Sequence, residues 1–376
     1  MVIVMKDRTS NQIKFNIFSF ISIFARSLLE VFISLYLFKN GFSIKSVLTF
    51  YLLENGFAFF ISYLFVKIGE KYKYSTVMYI GIFSFIVLQI VLNNIVHSYM
   101  YIILISFLYS LYRRGYWVSR RYYITDIIPQ RNSSESFSIL MIVSEIASII
   151  SGYFGGFLLD SFNILSLTII SSVLLVISVI PLIKIKTKTS NKKIELIKNL
   201  KKYDKRNYVA FSLYEINNLL TFIFPIYIAM YIKDSYIMAS SINAISNLAI
   251  IVFILVYGRI IKKRNYFVIS SALFVFISIS KLFFLNYFIF VFYFIEGLIK
   301  KMQEQSVNKI YFENRRGMDL THYNLIYQLT ESLVRVVVVL PLLFINDIKM
   351  MILFILLFIS AELVIYAFFK KSKKLD

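Results

Sequence analysis

Runs of about twenty mostly apolar residues recur along the whole chain, and they constrain its fold more than any other feature. Examples are residues 75–93, 162–183 and 349–369, each close to the ~20 residues that an α-helix needs to cross a bilayer. Hydrophobic residues make up 59% of the 376, more than a water-soluble chain normally contains. The runs therefore exclude a soluble, secreted or nucleic-acid-binding protein, although the formal net charge is +21.

These runs predict an all-α integral membrane protein with twelve transmembrane helices joined by short connections. A lipid bilayer favours helices because every backbone polar group is then paired within its own segment. No separate soluble domain fits between the runs. The predicted spans are 16–38, 46–66, 75–94, 99–119, 136–158, 162–183, 208–231, 236–257, 265–284, 286–305, 322–345 and 349–369.

Lysine and arginine collect in alternate loops, which predicts the orientation in the membrane. Cytoplasmic loops carry the excess of basic residues in multi-pass proteins. We therefore expect a protein of the cell membrane with both termini in the cytoplasm. The opposite loops are expected to hold only Lys39, Lys45, Lys233, Lys281 and Lys349. The cytoplasmic group is Lys6, Arg8, Lys14, Lys67, Lys71, Lys73, Arg131, Arg259, Lys262, Lys263, Arg264, Arg315, Arg316, Lys370, Lys371, Lys373 and Lys374.

The longest loop, 186–206, is strongly basic and divides the chain into six spans and six spans. It predicts an N-terminal six-helix bundle at 1–185, a basic cytoplasmic linker at 186–206 and a C-terminal six-helix bundle at 207–376. The linker is either a short amphipathic helix on the inner leaflet or a solvated connection. Ser-Leu-Leu-Glu at 27–30 matches Ser-Leu-Tyr-Glu at 212–215, so the two halves are predicted to be homologous.

Motifs near spans 4 and 5 resemble those of the major facilitator superfamily. The Arg-Arg-Gly of 113–115, followed by Asp126 and Pro129, is similar to that family's pattern after span 4. Gly152, Gly155 and Gly156 resemble its antiporter signature Gly-Pro-x-x-Gly-Gly, with glycine in place of the proline. The resemblance implies two bundles related by an axis along the membrane normal, with Asp126 and these glycines in gating or helix packing. Small residues at such positions also let helices approach closely.

Ionisable residues inside the predicted spans are the candidate functional residues. Each costs ~2.5–3.5 kcal/mol at the bilayer centre on insertion scales, so it normally faces a cavity or a partner. Solute or proton binding is one interpretation, and structural ion pairs between helices are the alternative. The candidates for binding solute or protons are Arg26, Glu30, Glu54, Arg113, Glu145, Glu215, Glu296, Glu331 and Arg335.

Two spans carry a polar stripe with helical spacing. In span 1 it ends with Arg26 and Glu30, which lie one turn apart and can form a pair. The resemblance implies that spans 1, 4, 7 and 10 line a central cavity. Nearer the cytoplasmic ends, Arg120, Arg121, Lys300 and Glu362 are expected to reach toward water or serve a gate. The stripe in span 11 consists of Asn324, Gln328, Glu331 and Arg335.

These charges predict a proton-coupled transporter that exports a small amphipathic or cationic compound by alternating access. Six glutamates against four arginines leave an acidic excess near the midplane, and burial disfavours the charged form of a carboxylate. Glu30 is the first choice for the proton site and Glu296 the second. Nutrient or peptide uptake by the same fold, or a lipid-linked oligosaccharide flippase, are the alternatives.

The composition argues against an enzyme and against bound cofactors. The chain has no Cys and 2 His, which lie in unrelated loops, and it has no Walker A pattern for ATP. We therefore expect no metal and no cofactor. The expected partners are a small-molecule solute, protons as the coupling ion and membrane lipids, with no nucleic acid, and the protein is expected to be a monomer.

Overall fold

A computed structural model of the chain describes residues 2–127, 133–183, 185, 205–232, 235–257, 266–314 and 320–372. The linker 186–206 is therefore almost entirely outside the described residues, as are Arg131 and the basic groups at 259–264 and 315–316. All elements in the described part are α-helices. They are α1 (Val2–Glu30), α2 (Ile33–Lys39), α3 (Ile44–Lys71), α4 (Tyr74–Asn93), α5 (Tyr99–Ile127), α6 (Ser133–Ser161), α7 (Ile164–Ile183), α8 (Lys205–Tyr231), α9 (Tyr236–Tyr257), α10 (Phe267–Asn314), α11 (Leu320–Leu342) and α12 (Ile348–Ser372).

The helices match the predicted spans once two irregularities are taken into account. Span 1 is broken at residues 31–32 into α1 and α2. Spans 9 and 10 form one long element, α10, with non-helical backbone at Phe288. By length and composition, ten helices in the described residues could cross a membrane. Charged residues are frequent in α5 and in the second arm of α10, which are the remaining two of the predicted twelve spans.

The two arms of α10 fold back on each other around Phe288. In a straight helix Lys281 and Glu296 would be about 22 Å apart, yet their side chains form an ion pair. Farther from the turn, the Gln303 amide donates to Ser271 Oγ at 2.9 Å. Both contacts are centred near residue 288, as expected for an antiparallel helical hairpin.

The contacts divide the chain into two compact units. One comprises Met1–Ile33 with Phe57–Ile194, and the other comprises Ser34–Gly56 with Glu195–Asp376. Within the second unit the ring of Tyr51 lies 4.2 Å from that of Phe222, and Lys39 Nζ lies 4.2 Å from the Tyr236 ring. The predicted boundaries 1–185, 186–206 and 207–376 stay a prediction.

In the first unit, α1 packs against α6 and α7, and α4 packs against α5. Small residues make these approaches close, because a Cβ atom on Gly115 would lie only 2.8 Å from the Gly81 Cα atom. Ser171 of α7 donates to the Ala25 carbonyl of α1 at 2.7 Å. In the second unit α8 packs against α11 and α12, and α9 packs against α10. These contacts place the charged faces of α1 and α11 inside their units.

Gly297 is expected to be a packing residue whose replacement destabilises the fold. A Cβ atom there would overlap the Ser246 carbonyl oxygen of α9, whereas one at Gly56 would meet nothing within 4 Å. Gly297→Ala should therefore lower the free energy of unfolding by about 1–3 kcal/mol, as overpacking does. Thermal unfolding in detergent measures the loss, with Gly56→Ala as the matched control. Equal melting temperatures for the two variants would contradict this assignment.

Candidate functional site

A charged pair lies on the last turn of α1, directly before the break at residues 31–32. Arg26 and Glu30 form an ion pair one turn apart, and their side chains are 13% and 16% exposed. Discontinuous spans are frequent ion and solute sites in transporters. No proline or glycine stands near this break, so the sequence carries no conventional signal for it.

Two tyrosines of α5 donate hydrogen bonds to the Glu30 carboxylate. Tyr109 Oη donates to Glu30 Oε1 at 3.2 Å, and Tyr112 Oη donates to Glu30 Oε2 at 3.2 Å. Together with Arg26, three donors therefore converge on one carboxylate. These three contacts fix the position of the Glu30 carboxylate between α1 and α5.

Aromatic rings surround the Arg26 guanidinium. Its Cζ atom lies 5.1 Å from the centroid of the Tyr116 ring and 5.3 Å from that of Trp117, which is the sole tryptophan. Trp117 also contacts Arg120, whose Cζ atom lies 5.2 Å from the indole. These distances are within the range of cation–π attraction. The surroundings of Arg26 and Glu30, which we call the α1–α5 site, thus combine a carboxylate with aromatic faces that attract cations.

A second cluster joins α8 and α11 in the second unit. Arg335 Nη2 lies 2.5 Å from Glu215 Oε2 and 3.1 Å from Glu331 Oε1, so one nitrogen is shared by two carboxylates. Tyr327 Oη donates to the other oxygen of Glu215 at 2.7 Å. Glu215 ends the repeated motif that also ends at Glu30, and each of these glutamates contacts an arginine and a tyrosine hydroxyl.

A third cluster lies between the arms of α10. Glu296 is paired with Lys281 and with Lys300, whose Nζ atom lies 2.6 Å from Glu296 Oε1. Lys281 is 0% exposed, and its Nζ atom lies 3.4 Å from the Tyr293 ring centroid and 4.3 Å from that of Phe224. Two ammonium groups therefore hold one buried carboxylate.

The prediction that Lys281 lies in an external loop is wrong. It is fully buried because the hairpin of α10 brings Glu296 next to it. The sequence did contain a signal, since Lys281 falls inside the predicted span 265–284. The acidic excess predicted from the sequence also changes, because Lys281 and Lys300 both pair with Glu296. With these two lysines, the number of basic residues equals that of the six candidate glutamates. The basic residues are Arg26, Arg113, Arg114, Arg335, Lys281 and Lys300.

The remaining candidates occupy positions in other helices. Glu54 is 0% exposed in α3, and Arg113 is 8% exposed in α5, where its Cζ atom lies 5.7 Å from the Tyr109 ring centroid. Glu145 is half-buried in α6. The candidates thus fall in both units. That they surround one solute stays a prediction.

The glycines of the antiporter-like motif are buried in α6. Gly152, Gly155 and Gly156 all lie on its buried side, and a Cβ atom on Gly155 would overlap the backbone of Leu28 in α1. Close helix packing accounts for that position. Asp126 lies in the last turn of α5, and its side chain is outside the described ones.

Side chains expected to reach toward water instead have partners inside the units. Arg120 is 5% exposed and donates to Ser144 Oγ at 3.1 Å. Glu362 of α12 accepts a hydrogen bond from Ser212 of α8 at 2.6 Å. Buried polar groups need such partners because water cannot reach them. Burial contradicts the snorkelling alternative for Arg120, and a role of Arg120 or Glu362 in a gate stays a prediction.

Helices long and apolar enough to cross a membrane, with charged clusters buried in both units, define a polytopic membrane protein. The family model described as Major Facilitator Superfamily matches residues 15–334. The chain therefore belongs to the major facilitator superfamily, which confirms the resemblance of the motifs. A search of the curated proteins gave no significant match.

Solved structures confirm the fold. The in meso crystal structure of the POT family transporter PepTSo is similar to this chain, with a TM-score of 0.72 and 11% sequence identity. The similarity covers 97% of this chain and 98% of that one. At this identity the likeness shows the architecture alone. The prediction of an all-α major-facilitator-type fold with twelve spans is confirmed.

Proposed function

We propose that the protein is a proton-coupled secondary transporter that moves a small amphipathic solute with a positive charge, and that the solute's charge binds Glu30 in the α1–α5 site. The observation that carries the proposal is the convergence of Arg26, Tyr109 and Tyr112 on Glu30. A carboxylate that three donors hold in place can exchange its arginine partner for a solute cation. Tyr116 and Trp117, whose rings face the Arg26 guanidinium, would face a solute cation that takes the place of Arg26.

Transport would occur by alternating access, with residues 1–185 rocking against 207–376 about a midplane site. We propose export as the direction because the glycines of α6 resemble the antiporter signature. The protein would act as a monomer among membrane lipids. Simultaneous access to the solute site from both sides of the membrane in the resting protein would contradict the mechanism.

The orientation is part of the proposal. Both termini and 186–206 would lie in the cytoplasm of the cell membrane, because the basic residues collect in alternate loops. The native chain has no Cys, so a cysteine introduced at Lys193 gives a clean label. In intact cells we expect an impermeant maleimide to leave it unlabelled. Labelling from outside would contradict this orientation.

A second candidate function is uptake of a zwitterionic solute such as a short peptide. The balance of six acidic and six basic groups favours it, since a zwitterion could engage Glu30 and Arg26 together without leaving either unpaired. It would use the same site with the opposite direction of net transport.

The test of transport is flux in proteoliposomes with an imposed proton gradient. The probes are phenethylammonium, an aromatic cation, and dialanine, a zwitterion. We expect gradient-driven flux of the cation, abolished when a protonophore dissipates the gradient. Gradient-driven flux of dialanine alone would favour the second function. Flux of either probe that is insensitive to the gradient would contradict proton coupling.

A further inference from the structure

The buried cluster between the arms of α10 holds more positive than negative charge. Lys281 Nζ pairs with Glu296 Oε2, and Lys300 Nζ lies 2.6 Å from Glu296 Oε1. Each oxygen of the one carboxylate is therefore taken by a different ammonium group. Two lysines against one glutamate leave one positive charge in excess.

Aromatic contacts indicate that Lys281 is present in its charged form. Its Nζ atom lies 3.4 Å from the centroid of the Tyr293 ring and 4.3 Å from that of Phe224. Ring faces attract an ammonium because of its positive charge. The Lys281 side chain is 0% exposed, so bulk water does not solvate it. A buried charge in excess costs free energy unless an opposite charge lies beside it.

Tyr293 gives an independent indication that the cluster binds a ligand that accepts hydrogen bonds. The residue is 8% exposed, and its Oη atom has no hydrogen-bond partner among the described residues. The ring that carries this hydroxyl group is the one that lies against Lys281 Nζ. A buried donor without an acceptor costs free energy. The unused donor and the excess positive charge therefore call for the same kind of ligand.

Ser278 adds a further unused donor on the first arm of α10. It lies three positions before Lys281 and so on the same face of the helix. Its side chain is 1% exposed, and its Oγ atom lacks a hydrogen-bond partner within the described part of the chain. An ammonium carries three N–H donors, whereas the hydrogen bond of Lys281 goes to Glu296. Donors are thus in excess of acceptors here.

We propose that Lys281, Glu296, Lys300 and Tyr293, which we call the α10 hairpin site, bind one small monovalent anion. The anion neutralises the excess charge and accepts hydrogen bonds from Lys281 Nζ and Tyr293 Oη. It enters beside Lys300, whose side chain is 19% exposed. Two sources share this chemistry, namely an inorganic ion such as chloride and the carboxylate group of a solute. The site belongs to the second unit and does not rest on the proposed binding of a cation at Glu30.

Thermal unfolding of the purified protein in detergent tests the site with simple salts as probes. Chloride or formate replaces gluconate, a bulky anion, at constant ionic strength and pH. The melting temperature of the wild type should rise with the concentration of the small anion, because a ligand of the native state stabilises it by mass action. No rise with either anion would overturn the proposal. A rise with chloride alone identifies an inorganic ion, and a rise with formate alone identifies a carboxylate group.

Lys281→Met removes the excess charge and should abolish the anion-dependent rise. Lys301→Met is the matched control, because it removes the neighbouring lysine of the same helix, which pairs with Glu304 at 2.8 Å. This control should keep the rise. An equal rise in Lys281→Met and the wild type would overturn the assignment to this cluster.

Tyr293→Phe provides a test that does not depend on the folding of Lys281→Met. It keeps the ring and both lysines and removes only the hydroxyl donor. The anion concentration that gives half of the stabilisation should be about tenfold higher, as expected for the loss of a hydrogen bond to a charged group. An unchanged concentration would overturn the site as assigned.

Discussion

Glu296→Gln is expected to cost more stability than any other single change to the intramembrane charges. It would leave Lys281, which is 0% exposed, without its paired carboxylate. Removing one partner of a buried ion pair typically costs about 3–5 kcal/mol, because the remaining charge stays desolvated. Lys300 is less affected, since its side chain is 19% exposed. Thermal or denaturant unfolding in detergent would show the loss.

Lys281→Met is the matched control for Glu296→Gln. It removes the buried ammonium but leaves Glu296 paired with Lys300, so we expect a smaller loss of stability. The double variant Lys281→Met with Glu296→Gln removes both members of the buried pair and should recover much of the stability lost in Glu296→Gln. A double variant as unstable as Glu296→Gln would show that the pair is not the cause.

Glu30→Gln is expected to weaken binding of phenethylammonium roughly 30-fold. Truncating one member of a hydrogen-bonded charge pair costs at least about 2 kcal/mol, and each 1.4 kcal/mol is tenfold in affinity. The sole tryptophan, Trp117, lies beside Arg26, so its fluorescence reports binding at this site. Tyr109→Phe removes one hydrogen bond and should cost about 1 kcal/mol, or about fivefold. Unchanged affinity in Glu30→Gln, with normal folding, would contradict a role in binding.

Arg26→Met distinguishes a cationic solute from a zwitterionic one by the sign of its effect. For phenethylammonium, Arg26 competes for Glu30, so its removal should maintain or strengthen binding. For dialanine, the arginine would contact the carboxylate of the solute, so its removal should weaken binding. Melting temperatures of the variants separate these effects from a loss of folding. Weaker binding of phenethylammonium in well-folded Arg26→Met would count against the proposed solute class.

The helices could be predicted from the sequence because their signal is local. Runs near twenty apolar residues indicate spans whatever surrounds them, and the twelve predicted spans correspond to α1–α12 with small differences at the ends. The break after Glu30 could not be predicted, since residues 27–34 contain neither proline nor glycine. Local backbone preferences therefore gave no indication of it.

Pairs within one helix were partly predictable from spacing. Arg26 with Glu30, and Glu331 with Arg335, lie one turn apart and are joined in the structure. Contacts between charged residues and residues of other helices could not be predicted from spacing. Tyr327 and Arg335 contact Glu215, which lies 112 and 120 positions earlier in the chain, respectively.

The sequence by itself therefore determined that this is a helical, multi-pass membrane protein of the major facilitator superfamily, and which ionisable residues lie inside its spans. Hydropathy and helical periodicity are properties of neighbouring residues, so no tertiary information is needed for them. Only the tertiary structure decided which charges on different helices, or on the two arms of α10, neutralise each other. Such ion pairs depend on distances of a few ångströms between side chains, and helix packing sets those distances. Lys281 shows the difference, because its place beside Glu296 exists only once α10 folds back on itself.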